Sequence, residues 1–142
     1  MSHADRGTTV RGRVGAALII VTAASLTASA IPKFTGSTAM VPELEAFGFA
    51  GLVPLIAALE AGVGLLLLAA PTRRFGLFMG SAFLGGAIAT HLQHDRFPHA
   101  IAPIAVLAVL WLGAWLRHPE LVLGSPRPGR ADDRVATEHA RA

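Results

Sequence analysis

Four long apolar blocks, separated by short polar segments, dominate the sequence. They cover residues 14–31, 52–70, 75–92 and 101–116. An α-helix rises about 1.5 Å per residue, so these blocks of 16 to 19 residues approach the ~30 Å thickness of a bilayer's hydrocarbon core. The pattern predicts an all-α fold, a bundle of four transmembrane helices forming one membrane domain over residues 13–118.

The polar segments complete the predicted organisation. Residues 1–12 predict a short unstructured N-terminus, and residues 119–142, rich in Pro, Gly and charge, predict a disordered tail. In the first loop, Gly36 ends a helix, and a set of apolar residues then recurs on one helical side: Met40, Val41, Leu44 and Phe47. This spacing predicts a short amphipathic helix at the membrane surface or across the bundle mouth, with a plain connecting loop as the alternative.

The distribution of Lys and Arg predicts the orientation. These residues are concentrated before the first block, in the Arg73-Arg74 turn and after the fourth block, whereas the first and third loops hold only Lys33 and Arg96. Basic loops stay in the cytoplasm, so we expect a multi-pass protein of the cell (inner) membrane with both termini cytoplasmic. The alternative for the first block is a signal peptide cleaved near Ala28-Ser29-Ala30.

Composition narrows the chemistry. The chain is 53% hydrophobic and only 15% charged, with no Cys and no Tyr, which excludes disulfides, iron–sulfur clusters and Cys-based zinc sites. The net charge of +3 comes from basic residues at block ends and in the tail, not from a basic stripe with interleaved aromatics, so we expect no nucleic-acid partner. Nucleotide-binding and hydrolase motifs are missing from the sequence, so we do not expect an enzyme acting on its own.

Glu60 is the single charge in the second block. A carboxylate at that depth costs a few kcal/mol or more unless it is paired, protonated or facing a cavity. Small residues line the helix beside it, namely Ala57, Ala61 and Gly64, whereas bulky residues line the other side, namely Ile56, Leu59, Val63 and Leu66. The first group should face the bundle with Glu60 and the second should face lipid.

Lys33 is the expected companion of Glu60. Thr22, Ser25, Ser29 and Lys33 recur on one face of the first helix if that helix continues past Pro32. We therefore predict that Lys33 and Glu60 share a polar pocket in the outer half of the bundle, with His91 of the third block as its third member. Glu60 has three open roles: a structural partner of Lys33 or of hydroxyls, a carboxylate at a quinone-like headgroup, or part of a transport path.

Histidines and small residues offer weaker signals. His91, His94 and His99 are an alternative set of metal ligands, but solvated loop histidines are the simpler interpretation, so no metal site is predicted. The third block also contains Gly76 and Gly80, four residues apart, and a small-residue face of Ala82, Gly85, Gly86 and Ala89. It predicts close helix packing, within the bundle or between copies in a homo-oligomer, with a cofactor pocket as the alternative.

Several short motifs, taken together, resemble the DoxX-like family of small four-helix membrane proteins. The similarity extends over about residues 14–118. Its motifs are Ala30-Ile31-Pro32-Lys33-Phe34, Ser37-Thr38-Ala39-Met40-Val41-Pro42-Glu43-Leu44, Phe47-Gly48-Phe49, Pro54-Leu55-Ile56-Ala57-Ala58-Leu59-Glu60 and Thr90-His91-Leu92.

The resemblance implies a set of functional expectations. Some members of that family are small subunits of quinone-linked oxidoreductases acting on thiosulfate, and others belong to oxidative-stress complexes. The resemblance implies that Lys33, Glu60 and His91 are the candidate functional residues. We therefore expect a non-catalytic subunit or accessory protein linked to quinone redox metabolism, with a quinone as the possible cofactor and a redox protein as partner. The alternatives are a small proton-coupled carrier using Glu60 and a purely structural membrane interaction protein.

Overall fold

The computed structural model describes residues 3–36 and 40–119, with side chains from residue 10 onward. All regular structure in these ranges is helical. The elements are α1 (His3–Thr35), α2 (Met40–Leu44), a π-helical segment (Glu45–Phe49), α3 (Val53–Leu68), α4 (Arg73–Gln93) and α5 (Phe97–Arg117). Of the tail predicted to be disordered, only Pro119 is among the described residues.

The four long helices pack in a ring. α1 lies against α3 and α5, and α4 lies against the same two helices from the other side. The centre of the ring is filled by apolar side chains from every long helix: Ile19, Ala23, Leu26, Val63, Leu67, Leu77, Leu84, Leu110 and Ala114. In helix bundles, ligand sites are built from side chains on facing helices.

Three helical stretches are long and apolar enough to cross a membrane: Val10–Thr35, Ala70–Gln93 and Phe97–Arg117. A fourth crossing exists only if Met40–Phe49 and Val53–Leu68, which meet at 109°, count as one span. Many large apolar side chains are exposed on the outer surface, including Leu55, Leu59, Leu65, Phe78 and Ile101. By the length and composition of its helices, the chain is a multi-pass membrane protein.

The second apolar block is less helical than its pattern predicts. α3 has 16 residues, about 24 Å, which is shorter than the ~30 Å bilayer core. It begins after Gly51, whose φ of +77° turns the backbone sharply, and it ends at Ala69, which is extended. Thr72 Oγ1 and Arg73 Nε donate hydrogen bonds to the carbonyls of Leu66 and Leu67, at 2.9 and 3.1 Å, so the turn closes the helix end.

The expectation of an unstructured N-terminus over residues 1–12 is wrong for the part described, since α1 begins at His3. Two contacts with the end of α5 support the helix at residues 11 and 12. Arg11 stacks over the ring of Trp115, 4.5 Å from its centroid, and Arg117 donates a 3.3 Å hydrogen bond to the carbonyl of Gly12. Tertiary contacts of this kind override weak local helix propensity.

Two predictions about helix faces are also corrected. Val63, expected to face lipid, is 5% exposed and belongs to the core, because α3 is covered by α1 on one side and α4 on the other. Gly76 and Gly80 pack tightly, but an added Cβ at Gly85 or Gly86 meets no described atom within 4 Å. These last two glycines therefore leave open space on α4 and do not join helices within the described chain.

Glycine is required where α1 and α3 cross. A Cβ on Gly64 would overlap Thr27 Oγ1 and lie 2.8 Å from the carbonyl oxygen of Ala23, whereas a Cβ on Gly62 meets no described atom within 4 Å. We expect Gly64→Ala to lower stability by about 1–3 kcal/mol, because the added methyl forces the helices apart. The matched Gly62→Ala change should leave the melting temperature unchanged or slightly higher, because Ala favours a helix more than Gly does.

Thermal unfolding of both variants in the same detergent measures the difference. Equal melting temperatures for Gly64→Ala and Gly62→Ala would contradict the described packing of α1 on α3.

Candidate functional site

The centre of the candidate site is an ion pair between two helices. Lys33 lies in the last turn of α1, which runs through Pro32, and Glu60 lies in the middle of α3. The ammonium of Lys33 donates directly to Oε2 of Glu60. Both residues are buried, with 7% and 5% of their surfaces exposed. The two polar residues that the sequence analysis grouped together are therefore in contact.

Ser29 closes the pair into a three-membered network. Its hydroxyl donates to Oε1 of Glu60 at 2.9 Å and accepts from Nζ of Lys33 at 2.9 Å. Ser29 reaches both because it precedes Lys33 by one helical turn and so shares its face of α1. Each carboxylate oxygen thus receives a hydrogen bond, which offsets the cost of burying the two charges.

The network forms one wall of a cavity of about 250 Å³, which we call the Lys33–Glu60 cavity. Its remaining walls are mostly apolar and come from α1, α2, α3, α4 and α5. Besides Ser29, Lys33 and Glu60, its lining consists of Ser25, Leu26, Met40, Glu43, Leu44, Phe47, Ile56, Phe83, Leu84, Ala87, His91, Ala102, Pro103 and Val106. A few polar groups converging in an apolar cavity are typical of a small-molecule site.

His91 lies on the wall of the same cavity, in the last turns of α4. Its Nδ1 is buried and has no hydrogen-bond partner among the described residues. The ring of Phe47 meets it edge-on, with the centroids 5.6 Å apart. A buried ring nitrogen without a partner is costly to the fold alone, so it marks His91 as a group available to a ligand.

An apolar groove of about 300 Å³ adjoins the cavity between α3 and α4. The two share several lining residues, among them Phe47, Ile56, Phe83 and Ala87. The open face at Gly86 belongs to this groove. The small-residue face of α4 therefore contributes in part to a pocket, which was the alternative to close packing in the sequence analysis.

The structure does not bring together the three histidines, His91, His94 and His99, that the sequence offered as alternative metal ligands. His94 Nδ1 donates to the carbonyl of Thr90 at 2.9 Å and its ring lies against Phe47, and His94 is not part of the ligand-atom group found among the described residues. His99 lies in the first turn of α5, not in a loop, and its Nδ1 is 2.7 Å from Oε1 of Glu43. Glu43 is the member that sequence reasoning missed, because the fold of the first loop brings it to His99.

No protein-family model, curated protein or solved structure matches this chain. The resemblance to the DoxX-like family therefore stays a prediction. What the site can bind has to follow from the residues that form it.

The ion pair should be strongly coupled. Lys33→Met or Glu60→Gln alone leaves one buried charge without its partner, and we expect each to lower the free energy of unfolding by about 3–5 kcal/mol. The double variant Lys33→Met/Glu60→Gln removes both charges and should recover most of that loss. Thermal or denaturant unfolding in detergent gives the coupling, with the exposed Glu45→Gln as a control of little effect. Strictly additive losses in the double variant would show that the two charges do not depend on each other.

Proposed function

We propose that the chain is a DoxX-like, four-span membrane protein that binds a quinone-like ligand in the Lys33–Glu60 cavity. In this proposal it acts as a non-catalytic subunit or accessory protein of quinone redox metabolism. The observation that carries it is a buried Lys33–Ser29–Glu60 network facing an apolar cavity, with the unpartnered Nδ1 of His91 on the opposite helix.

The polar groups suit a ligand with carbonyl oxygens and an apolar body. Lys33 and His91 can each supply an N–H donor to a carbonyl, and Ser29 and Glu60 hold the ammonium of Lys33 in place. The surrounding walls are apolar, which favours a ring over a sugar or a phosphate. The adjoining groove between α3 and α4 would let an isoprenoid tail leave the cavity toward lipid.

In any redox reaction of the bound quinone, a partner protein would supply or accept the electrons. The described site holds hydrogen-bonding groups and a carboxylate, which can orient a quinone and exchange its protons, but neither supplies electrons. We therefore propose a redox protein as partner, with the present chain presenting the quinone. A homo-oligomer through the open glycine face of α4 is the alternative use of that face, because Gly86 lines the groove proposed for the tail.

A structural role is the second candidate, and one observation favours it. Lys33 and Ser29 already satisfy both oxygens of Glu60, so the network stabilises the contact between α1 and α3 without any ligand. A protein of this kind would tolerate Lys33→Met/Glu60→Gln without loss of any phenotype. The third alternative, a proton-coupled carrier, requires uptake into proteoliposomes that Glu60→Gln abolishes.

The topology belongs to the same proposal. α3 would form the second crossing, with the segment Met40–Phe49, bent by 109° from it, at its outer end, and both termini would lie on the cytoplasmic side of the cell membrane. Because the chain has no Cys, a single introduced cysteine reports which side of the membrane its position faces. We expect Glu45→Cys and Gln93→Cys to react with an impermeant maleimide added outside whole cells, and Pro71→Cys to react only after lysis. Labelling of Pro71→Cys in intact cells would contradict four spans with the termini inside.

Filling the cavity should remove the ligand. Ala87 lines both the cavity and the groove, whereas Ala89 is exposed on α4 and lines neither. We expect Ala87→Phe to weaken binding of a short-chain quinone at least about tenfold, since the ring occupies its space, a loss of about 1.4 kcal/mol.

Equilibrium binding of labelled quinone to the purified protein measures this effect. Ala89→Phe adds the same side chain outside the lining and should bind like the original chain. Equal affinity in both variants would contradict a quinone site in this cavity.

A further inference from the structure

Three ligating side chains meet at the mouth of the Lys33–Glu60 cavity. They are Glu43 of α2, His91 of α4 and His99 of α5, and one ligand atom from each lies within 4.8 Å of the others. Residues 43, 91 and 99 come from three separate helices, so their meeting is a product of the fold and not of sequence spacing. We propose that these three residues bind a divalent transition-metal ion, for which zinc is the reference ion.

The set of ligands matches that chemistry. Two imidazoles and one carboxylate are a common three-ligand set for Zn²⁺, which leaves a fourth position to water or to a ligand. Mg²⁺ and Ca²⁺ prefer oxygen ligands only, so two imidazole nitrogens favour a transition metal over them. In a tetrahedral site with bonds of about 2.0–2.1 Å, ligand atoms lie roughly 3.3 Å apart, so small side-chain rotations suffice to close this group on an ion.

The surroundings also suit a metal site. The ring of His91 meets those of Phe47 and His99 edge-to-face, with centroids 5.6 and 5.9 Å apart, and these two contacts restrict how the His91 imidazole turns. The buried Nδ1 of His91 has no hydrogen-bond partner among the described residues, and a metal needs only one of the two ring nitrogens, which leaves the other N–H to donate to a ligand. The side chain of His99 is 51% exposed, which gives an ion access from water.

The proposal does not depend on quinone binding. Glu43 and His91 line the cavity as well, so an ion held there would join α2, α4 and α5 across the cavity mouth and fix the segment Met40–Phe49. The metal would act on the arrangement of the mouth, whatever molecule occupies the cavity beneath it. Loss of metal binding with intact quinone binding, or the reverse, would separate the two proposals.

The experiment uses the full chain, purified in detergent without a histidine tag and freed of metal with a chelator. Titration with Zn²⁺ by calorimetry, and with Co²⁺ by visible absorption, should show one ion per chain and the absorption of a four-coordinate site. His99→Ala and Glu43→Gln should each weaken the affinity at least about tenfold, since loss of even a second-shell partner costs ~10–100-fold. His94→Ala, which removes a neighbouring histidine outside the group, should bind within about twofold of the original chain.

Two results would overturn the proposal. The first is the absence of saturable binding by Zn²⁺ and Co²⁺ in the original chain. The second is equal weakening by His94→Ala and His99→Ala, which would indicate binding by surface histidines in general. All three proteins must first show the same helical circular-dichroism spectrum. Zn²⁺ should then raise the melting temperature of the original chain and of His94→Ala but not that of His99→Ala. This result would support the site, because an ion that binds only the folded chain stabilises it.

Discussion

The ion pair between Lys33 and Glu60 is the interaction on which the rest of the structure depends. Either charge alone would be costly where it is buried, and together with Ser29 the pair fixes how the end of α1 meets the middle of α3. The pair also keeps polar groups on the wall of a cavity that is otherwise apolar. The same contact therefore stabilises the fold and defines the chemistry that the cavity can offer.

The hydrophobic pattern predicted the long helices because apolar blocks in a bilayer have few alternatives to a helix. The polar stripe of α1 and the lone charge of α3 placed Lys33 and Ser29 opposite Glu60, since a buried charge needs a partner and few are present. The helix ends were predicted less well. In the first part of α1, Arg11 and Gly12 contact the end of α5, and such contacts leave no local signal in the sequence.

The side-chain contacts at the mouth of the cavity could not be predicted from the sequence, for a related reason. Glu43 meets His99 only because the first loop folds back through a π-helical segment, with φ of +86° at Gly48, and bends by 109° into α3. Glycine permits such a turn but does not encode its direction. The helical spacing of His91 and His94 suggested a pair, yet the structure engages His94 with the carbonyl of Thr90 and leaves His91 to face the cavity.

The central claim, that the Lys33–Glu60 cavity holds a quinone, is tested most directly by what the protein carries from its own membrane. The measurement is solvent extraction and mass analysis of the mildly solubilised, purified chain, together with its absorbance spectrum. The account predicts about one quinone per chain, retained through purification by contacts of its ring with the apolar walls and polar network of the cavity. A chain that carries no quinone and takes up none when it is added would contradict the account and leave the ion pair with a structural role.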